Sequence, residues 1–211
     1  MQKQGQRIIN VAKEDSRIEK GVKWRSRGYL PHFDGGSIPQ CITFRVSDSL
    51  PIVRLKEWEA ELVGLPFQQF ENERRRKIEE YLDKGAGERW LSRPCIAELV
   101  EQALLCFDSQ RYFLHSWVVM PNHVHVLITP QSGNDLWQIL HSWKSFTAKK
   151  ANKLLGRAGE FWQPEYFDRF IRHQEHFEDA VKYIEFNPVK AALCELPESW
   201  PFSSAAWRSS F

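Results

Sequence analysis

Between Tyr112 and Pro130 two apolar, β-branched runs meet across Met120-Pro121-Asn122, and no other stretch constrains the fold as much. Pro121-Asn122 is turn chemistry, so the runs on either side are read as the strands of a hairpin. The second run begins His123-Val124-His125-Val126. Side chains alternate faces along a strand, so His123 and His125 point one way and Val124 and Val126 point the other way, into the core. Two imidazoles on one sheet face are half of a metal site and need a third ligand from another element. The spacing alone leaves open a pair of strand histidines without a ligand.

The remaining elements are assigned around that hairpin. Cys41-Ile42-Thr43-Phe44-Arg45-Val46 alternates apolar and polar and reads as a first strand, and Phe167 to Arg172 reads as a fourth. Residues 52–83 read as helix up to the break at Gly85-Ala86-Gly87. Pro94 then opens a helix carrying Ile96, Leu99, Val100, Ala103, Leu104 and Phe107 at helical spacing. A long helix is expected over 134–156, capped by Asn134 or Asp135 and closed by Gly156, with Leu136, Ile139, Leu140, Trp143, Phe146 and Leu154 as its buried stripe. Another is expected over 175–187, with Pro188 as its stop. Pro31 to Pro39 reads as a loop, and 191–211 as irregular.

Charge matters here by position rather than by total, because 29 basic and 27 acidic residues leave a net of only +2. From Lys20 to Tyr29 cations alternate with aromatics and no acid intervenes. Lys23, Trp24, Arg25 and Arg27 are therefore candidates for gripping a nucleic-acid strand, cations on phosphates and rings on bases. The second half of the long helix, from His141 to Arg157, holds Lys144, Lys149, Lys150, Lys153 and Arg157 without an acid, and is the strongest phosphate-binding candidate. Arg74-Arg75-Arg76-Lys77 is flanked by Glu71, Glu73, Glu79 and Glu80 and reads as a solvated helix face. Cys41, Cys95, Cys106 and Cys194 form no Cys-x-x-Cys pair, which argues against a zinc ribbon or a redox motif. The polar N-terminus and the lack of any run near the roughly 18 apolar residues of a membrane span give the expectation of a cytoplasmic protein with reduced thiols and no membrane partner.

Tyr183 and Asn187 are four residues apart and share a helix face. With His123, His125 and Asn187 as neutral ligands, a divalent cation would keep its full charge, attract an anionic substrate and polarise a phosphoryl oxygen. Tyr183 would lie beside that ion. A phenol, with a reference pKa of about 10, is a poor nucleophile until a nearby cation favours its phenolate. Its product would be a covalent phosphotyrosine, which stores the energy of the broken phosphodiester.

His123-Val124-His125 resembles the histidine–hydrophobic–histidine motif of the single-tyrosine HUH transposases. Tyr183-Ile184-Glu185-Phe186-Asn187-Pro188-Val189-Lys190 resembles the tyrosine helix of the REP-associated tyrosine transposases, within the IS200-like group. Trp117-Val118-Val119-Met120-Pro121-Asn122, Ser145-Phe146-Thr147-Ala148, Phe161-Trp162-Gln163 and Trp200-Pro201-Phe202-Ser203-Ser204 are similar as well, and the likeness spans about residues 28–204. The resemblance implies an α/β (α+β) fold: a ferredoxin-like sandwich with a central antiparallel sheet, helices packed on it and a helical insertion after the first strand, about 52–108. An N-terminal basic arm over 1–27 would precede the HUH domain of 28–211. The resemblance also implies a tyrosine endonuclease and strand transferase using Mg²⁺ or Mn²⁺. Its partner would be single-stranded or hairpin DNA, and it would act as a monomer or homodimer. Tyr183 matches the nucleophile, His123 and His125 match the metal ligands, and Asn187 sits where the third ligand is expected. A non-catalytic hairpin DNA or RNA binder with a vestigial metal site is the alternative. A zinc hydrolase would want a His-Glu-x-x-His pattern that the chain lacks.

Overall fold

The computed structural model describes residues 23–26, 31–34, 36–85 and 87–210. Most of the N-terminal arm, including Arg27, lies outside them. The described residues begin with a two-stranded antiparallel ribbon, β1 (Lys23–Ser26) against β2 (Pro31–Asp34), with Trp24 opposite Phe33. The expected loop from Pro31 is therefore a strand in its first half. Pro31 occupies the strand's first position, one of the few a proline tolerates in a sheet.

The central sheet has four strands: β3 (Gln40–Arg45), β4 (Tyr112–Val119), β5 (His123–Pro130) and β6 (Phe167–Phe170), in the order β4-β5-β3-β6 with every neighbouring pair antiparallel. Helix α1 (Ile52–Glu61), helix α2 (Phe67–Asp83) and helix α3 (Pro94–Leu105) lie between β3 and β4, and α4 (Leu136–Leu155) lies between β5 and β6. With α3 and α4 as the two crossovers, the chain runs strand–helix–strand–strand–helix–strand. That is the ferredoxin-like arrangement the family resemblance implies. No helix among the described residues is long and apolar enough to cross a membrane.

One face of the sheet holds the main core. Ile42, Phe44, Val124, Val126 and Ile128 pack there against Ile96, Val100 and Leu104 of α3 and Ile139, Leu140 and Trp143 of α4. Tyr112, fully buried at the start of β4, ties these layers together. Its hydroxyl donates to the Leu104 carbonyl at 2.7 Å and accepts from Trp143 Nε1 at 3.0 Å. Tyr112→Phe would leave both partners buried and unpaired. We expect it to cost about 1–3 kcal/mol in urea or thermal unfolding, well beyond a typical surface substitution.

The opposite face carries α5 (Gln174–Lys190), whose Ala180 and Ile184 pack with Val118, Met120 and Leu127. Pro188 does not stop this helix, which runs on to Lys190. A proline in the last turn forfeits a single backbone hydrogen bond, and burial of Pro188 holds that turn in place. The region expected as one helix over 52–83 is a pair of helices broken at Gly64-Leu65-Pro66, where Gly64 takes φ 95°. Arg74 is another departure. Only 3% exposed, it is enclosed between α1 and α2, 3.0 Å from Glu59 Oε1, rather than on a solvated face. Leu50, Ile78 and Leu82 form a small separate core with Trp58, Tyr81 and Phe167 beneath this pair. Of the segment expected as an insertion, α3 belongs to the main core, so the added piece is α1 and α2. Gly87 (φ 75°) closes it, because a Cβ there would overlap the Asp48 carbonyl oxygen and Ser49 Cα. The irregular C-terminal stretch also contains a short helix, α6 (Ser204–Ser209), capped by Ser203 Oγ accepting from Ala206 N at 3.2 Å.

Candidate functional site

The β-hairpin presents its histidines as the alternation requires. His123 and His125 lie on the face away from the main core, both fully buried, opposite Arg45 and Thr43 of β3. Their Nε2 atoms are 3.0 Å apart. His123 Nδ1 donates to Asn122 Oδ1 at 2.7 Å, which leaves His123 Nε2 as a bare acceptor. His125 Nδ1 is 2.7 Å from Thr43 Oγ1. A hydroxyl rotates, so Thr43 can donate to that nitrogen or accept from it and serve either tautomer. Burial, then the neighbouring His125 and the Arg45 and Lys190 cations, hold His123 well below the ordinary imidazole range. Burial and Lys190 bring His125 down to about 3. Both rings are therefore neutral at physiological pH, as metal ligands must be.

Helix α5 brings the tyrosine to them. The Tyr183 ring meets the His125 ring edge-on with centroids 5.4 Å apart. Its hydroxyl is buried without an aligned hydrogen-bond partner, and the Glu79 carboxylate faces it. Burial first, then Glu79 and Asp83, push the phenol far above its usual value, so without a cation it stays protonated. One turn further on, Asn187 is fully buried and neither amide atom has a partner. Such orphaned polar atoms are costly in a folded core and cluster where a ligand is to be held.

Two acids of α2 enter the same space. Asp83, the last residue of α2, places Oδ1 3.8 Å from His123 Nε2, while its Oδ2 accepts from Lys190 Nζ at 2.9 Å. Asp83, His123 and His125 each offer a ligand atom, all within 4.8 Å of one another. Two nitrogens bound side by side to one ion at about 2.1 Å lie roughly 3 Å apart, which is the spacing of the imidazoles. The donor set, neutral imidazoles with a carboxylate and an amide oxygen, suits a hard or borderline divalent cation.

Sequence reasoning named His123, His125, Tyr183 and Asn187, and the structure brings the first three together with Asn187 one turn on. It did not name Asp83, Glu79, Thr43 or Arg45. Asp83 and Glu79 are spaced like any i, i+4 pair on an acid-rich helix, and nothing local separates them from the exposed Glu80. Thr43 and Arg45 are on the site's face only through the β3–β5 register. Arg45 is a buried cation over the Phe167 ring, its guanidinium brought down to about 10 by burial and by Arg74.

The basic residues fall elsewhere. Lys144, Lys149, Lys150 and Lys153 are all on α4, which packs on the other face of the sheet from the histidines. Lys144 donates to the carbonyls of Gln163 and Pro164 at 2.6 and 2.8 Å, and burial brings its ammonium down to about 8. It holds a loop. Lys149, Lys150 and Lys153 are exposed. Lys23, Trp24 and Arg25 lie on β1, in the ribbon whose second strand packs beside β6.

Residues 89–187 match the family model described as transposase IS200 like, a span that includes His123, His125, Tyr183 and Asn187. The chain is 29% identical over 108 residues to the REP-associated tyrosine transposase of Escherichia coli (strain K12), covering 51% of this chain and 63% of that protein. It is 26% identical over 96 residues to a Haemophilus influenzae protein provisionally described in the same terms, covering 41% and 54%. The matches thus span less than two thirds of these relatives' own lengths. Among solved structures, that of a REP-associated tyrosine transposase bound to a REP hairpin aligns with a TM-score of 0.52 at 18% identity, covering 85% of this chain and 82% of the other. At that identity the likeness is one of fold.

Proposed function

Since the chain is related to the IS200-like transposases, we propose that it is a metal-dependent single-stranded DNA endonuclease and strand transferase that cleaves beside DNA hairpins through Tyr183. The observation that carries this reading is the edge contact of the Tyr183 ring with His125, with the hydroxyl buried and without an aligned partner. Buried polar atoms left without an aligned partner are uncommon in folded cores and cluster where a ligand is held.

In the proposed reaction His123, His125 and Asn187 hold a divalent ion, Mg²⁺ or Mn²⁺. When bound, that ion supplies Lewis acidity to the scissile phosphate and favours the phenolate. The remaining work belongs to the chain. Asn122 fixes the His123 ring so that Nε2 faces the site, and Thr43 does the same for His125. Tyr183 Oη attacks phosphorus, the Oη–P bond forms and the P–O3′ bond breaks, and the departing 3′ oxygen takes a proton from solvent, leaving a 5′ phosphotyrosine and a free 3′ hydroxyl. Glu79 is the carboxylate positioned toward the phenol proton. Burial raises Glu79 above the ordinary carboxylate range, which makes it a better proton acceptor. Strand transfer is the same step in reverse with a different 3′ hydroxyl.

Hairpin-tailed single strands incubated with Mg²⁺ or Mn²⁺ test the reading. Cleavage that disappears with chelator supports it. Binding without cleavage under every divalent metal would identify a binder with a vestigial site instead.

A second expectation concerns DNA grip. Lys149 and Lys150 are exposed on the layer opposite the tyrosine, so DNA held there must wrap around the sheet edge. If it does, Lys149→Ala with Lys150→Ala should reduce the slope of log affinity against log salt by about one unit per lost contact at most. An unchanged slope would assign the grip to other cations, among them Lys23, Arg25 and Arg27.

A further inference from the structure

We infer that Asp83, carried into the site by the inserted helix α2, is a carboxylate ligand of the same divalent cation, so that the α1–α2 insertion completes the metal centre. The inference rests on the proposed histidine metal site and adds to it a ligand from outside the family-matched segment, residues 89–187.

Three observations carry it. The first is that two acceptors, Asp83 Oδ1 and His123 Nε2, face each other, although His125 Nε2 at 3.0 Å is a donor within reach of His123 in one tautomer. His123 Nε2 is bare because Nδ1 donates to Asn122, and Asp83 Oδ1, buried and without a hydrogen-bond partner, lies 3.8 Å away. That distance is too long for a hydrogen bond, so a protonated carboxyl would not explain the approach. Asp83 Oδ1 is the buried atom left without a partner, and a cation beside it and the imidazoles would satisfy it.

The second is that the carboxylate is oriented. Lys190 holds Oδ2 at 2.9 Å, so Oδ1 is the oxygen left for the site, and the Asp83 side chain is only 8% exposed. The main chain beside it is fixed as well. Asn122 Nδ2 donates to the Leu82 carbonyl at 3.2 Å, and the same Asn122 orients His123. One asparagine thus sets both the imidazole of β5 and the end of α2 that carries the carboxylate.

The third is charge. Imidazoles and an amide leave a divalent ion its full charge, and Lys190, beside Asp83 and over the Tyr183 ring at 5.7 Å, would repel that ion. An ionised Asp83 beside both offsets one unit of their combined charge. Lys190 reaches this position because α5 continues through Pro188.

The test is Mn²⁺ binding to the full chain without DNA, read from the electron paramagnetic resonance signal of free Mn²⁺. The variants are Asp83→Asn and His123→Ala, with thermal midpoints of the metal-free proteins recorded alongside. Asp83→Asn keeps the side-chain volume and should weaken Mn²⁺ binding about tenfold or more, since even outer partners of metal ligands are worth 10–100-fold. Wild-type affinity in Asp83→Asn, with binding lost in His123→Ala, would overturn the role of Asp83 alone and leave it as the ion-pair partner of Lys190. Wild-type affinity in His123→Ala as well would overturn the metal site on which the inference rests.

Discussion

Tyr183→Phe is expected to abolish covalent attachment to DNA while leaving hairpin binding and the fold intact. Losing the nucleophile should reduce adduct formation by on the order of 10³-fold or more. The same change should make the protein slightly more stable. The Tyr183 hydroxyl is buried and meets the Glu79 carboxylate only out of alignment, so the folded state recovers little of its desolvation cost. Removing that oxygen should stabilise by about 1 kcal/mol, a rise of roughly 2–4 °C in Tm for a chain of this size. Activity and stability moving in opposite directions is the mark of a residue kept for function. An adduct that survives Tyr183→Phe would remove Tyr183 as nucleophile. A large loss of stability would instead make it an ordinary core tyrosine.

The second large effect is expected at His125. Its ring is fully buried, contacts Tyr183 edge-on, approaches His123 Nε2 at 3.0 Å and meets Thr43 Oγ1 at 2.7 Å. His125→Ala should weaken Mn²⁺ binding by at least about 100-fold and carry cleavage down with it. It should also destabilise the metal-free protein by about 1–3 kcal/mol, from the cavity and from the Thr43 hydroxyl left unpaired. His125→Asn, which can still meet Thr43, should recover part of the stability and none of the cleavage. Full cleavage in His125→Ala with added Mn²⁺ would mean that the imidazole is structural only.

The parts of this molecule written in local pattern were readable from the sequence. The alternation from His123 to Val126 placed two imidazoles on one face and two valines in the core, and both placements hold. Gly156 ends α4 where the helix was expected to close, and it does so in the left-handed conformation, φ 62°. Parts that depend on distant partners were not readable. Arg74 looks solvated among its glutamates until α1 folds back and encloses it beside Glu59. Pro188 looks like a stop until burial of the last turn outweighs one missing hydrogen bond. Asp83 belongs to the site only because a helix inserted between β3 and α3 ends beside the β4–β5 turn, an approach that Asn122 records by bonding to Leu82. The basic helix α4 is the converse case. Its one-signed charge is plain in the sequence, but the sheet between it and the tyrosine is not.

The central claim is that Tyr183 and the two histidines act as one cation-dependent cleavage centre. Its most direct test is to incubate the protein with a hairpin-tailed single strand and Mn²⁺, digest it, and locate the nucleotide-bearing peptide by tandem mass spectrometry. The account predicts a 5′-phosphate-linked nucleotide on Tyr183, absent when the metal is chelated. A modified peptide that does not contain Tyr183, or an adduct that forms equally well with the metal removed, would contradict it.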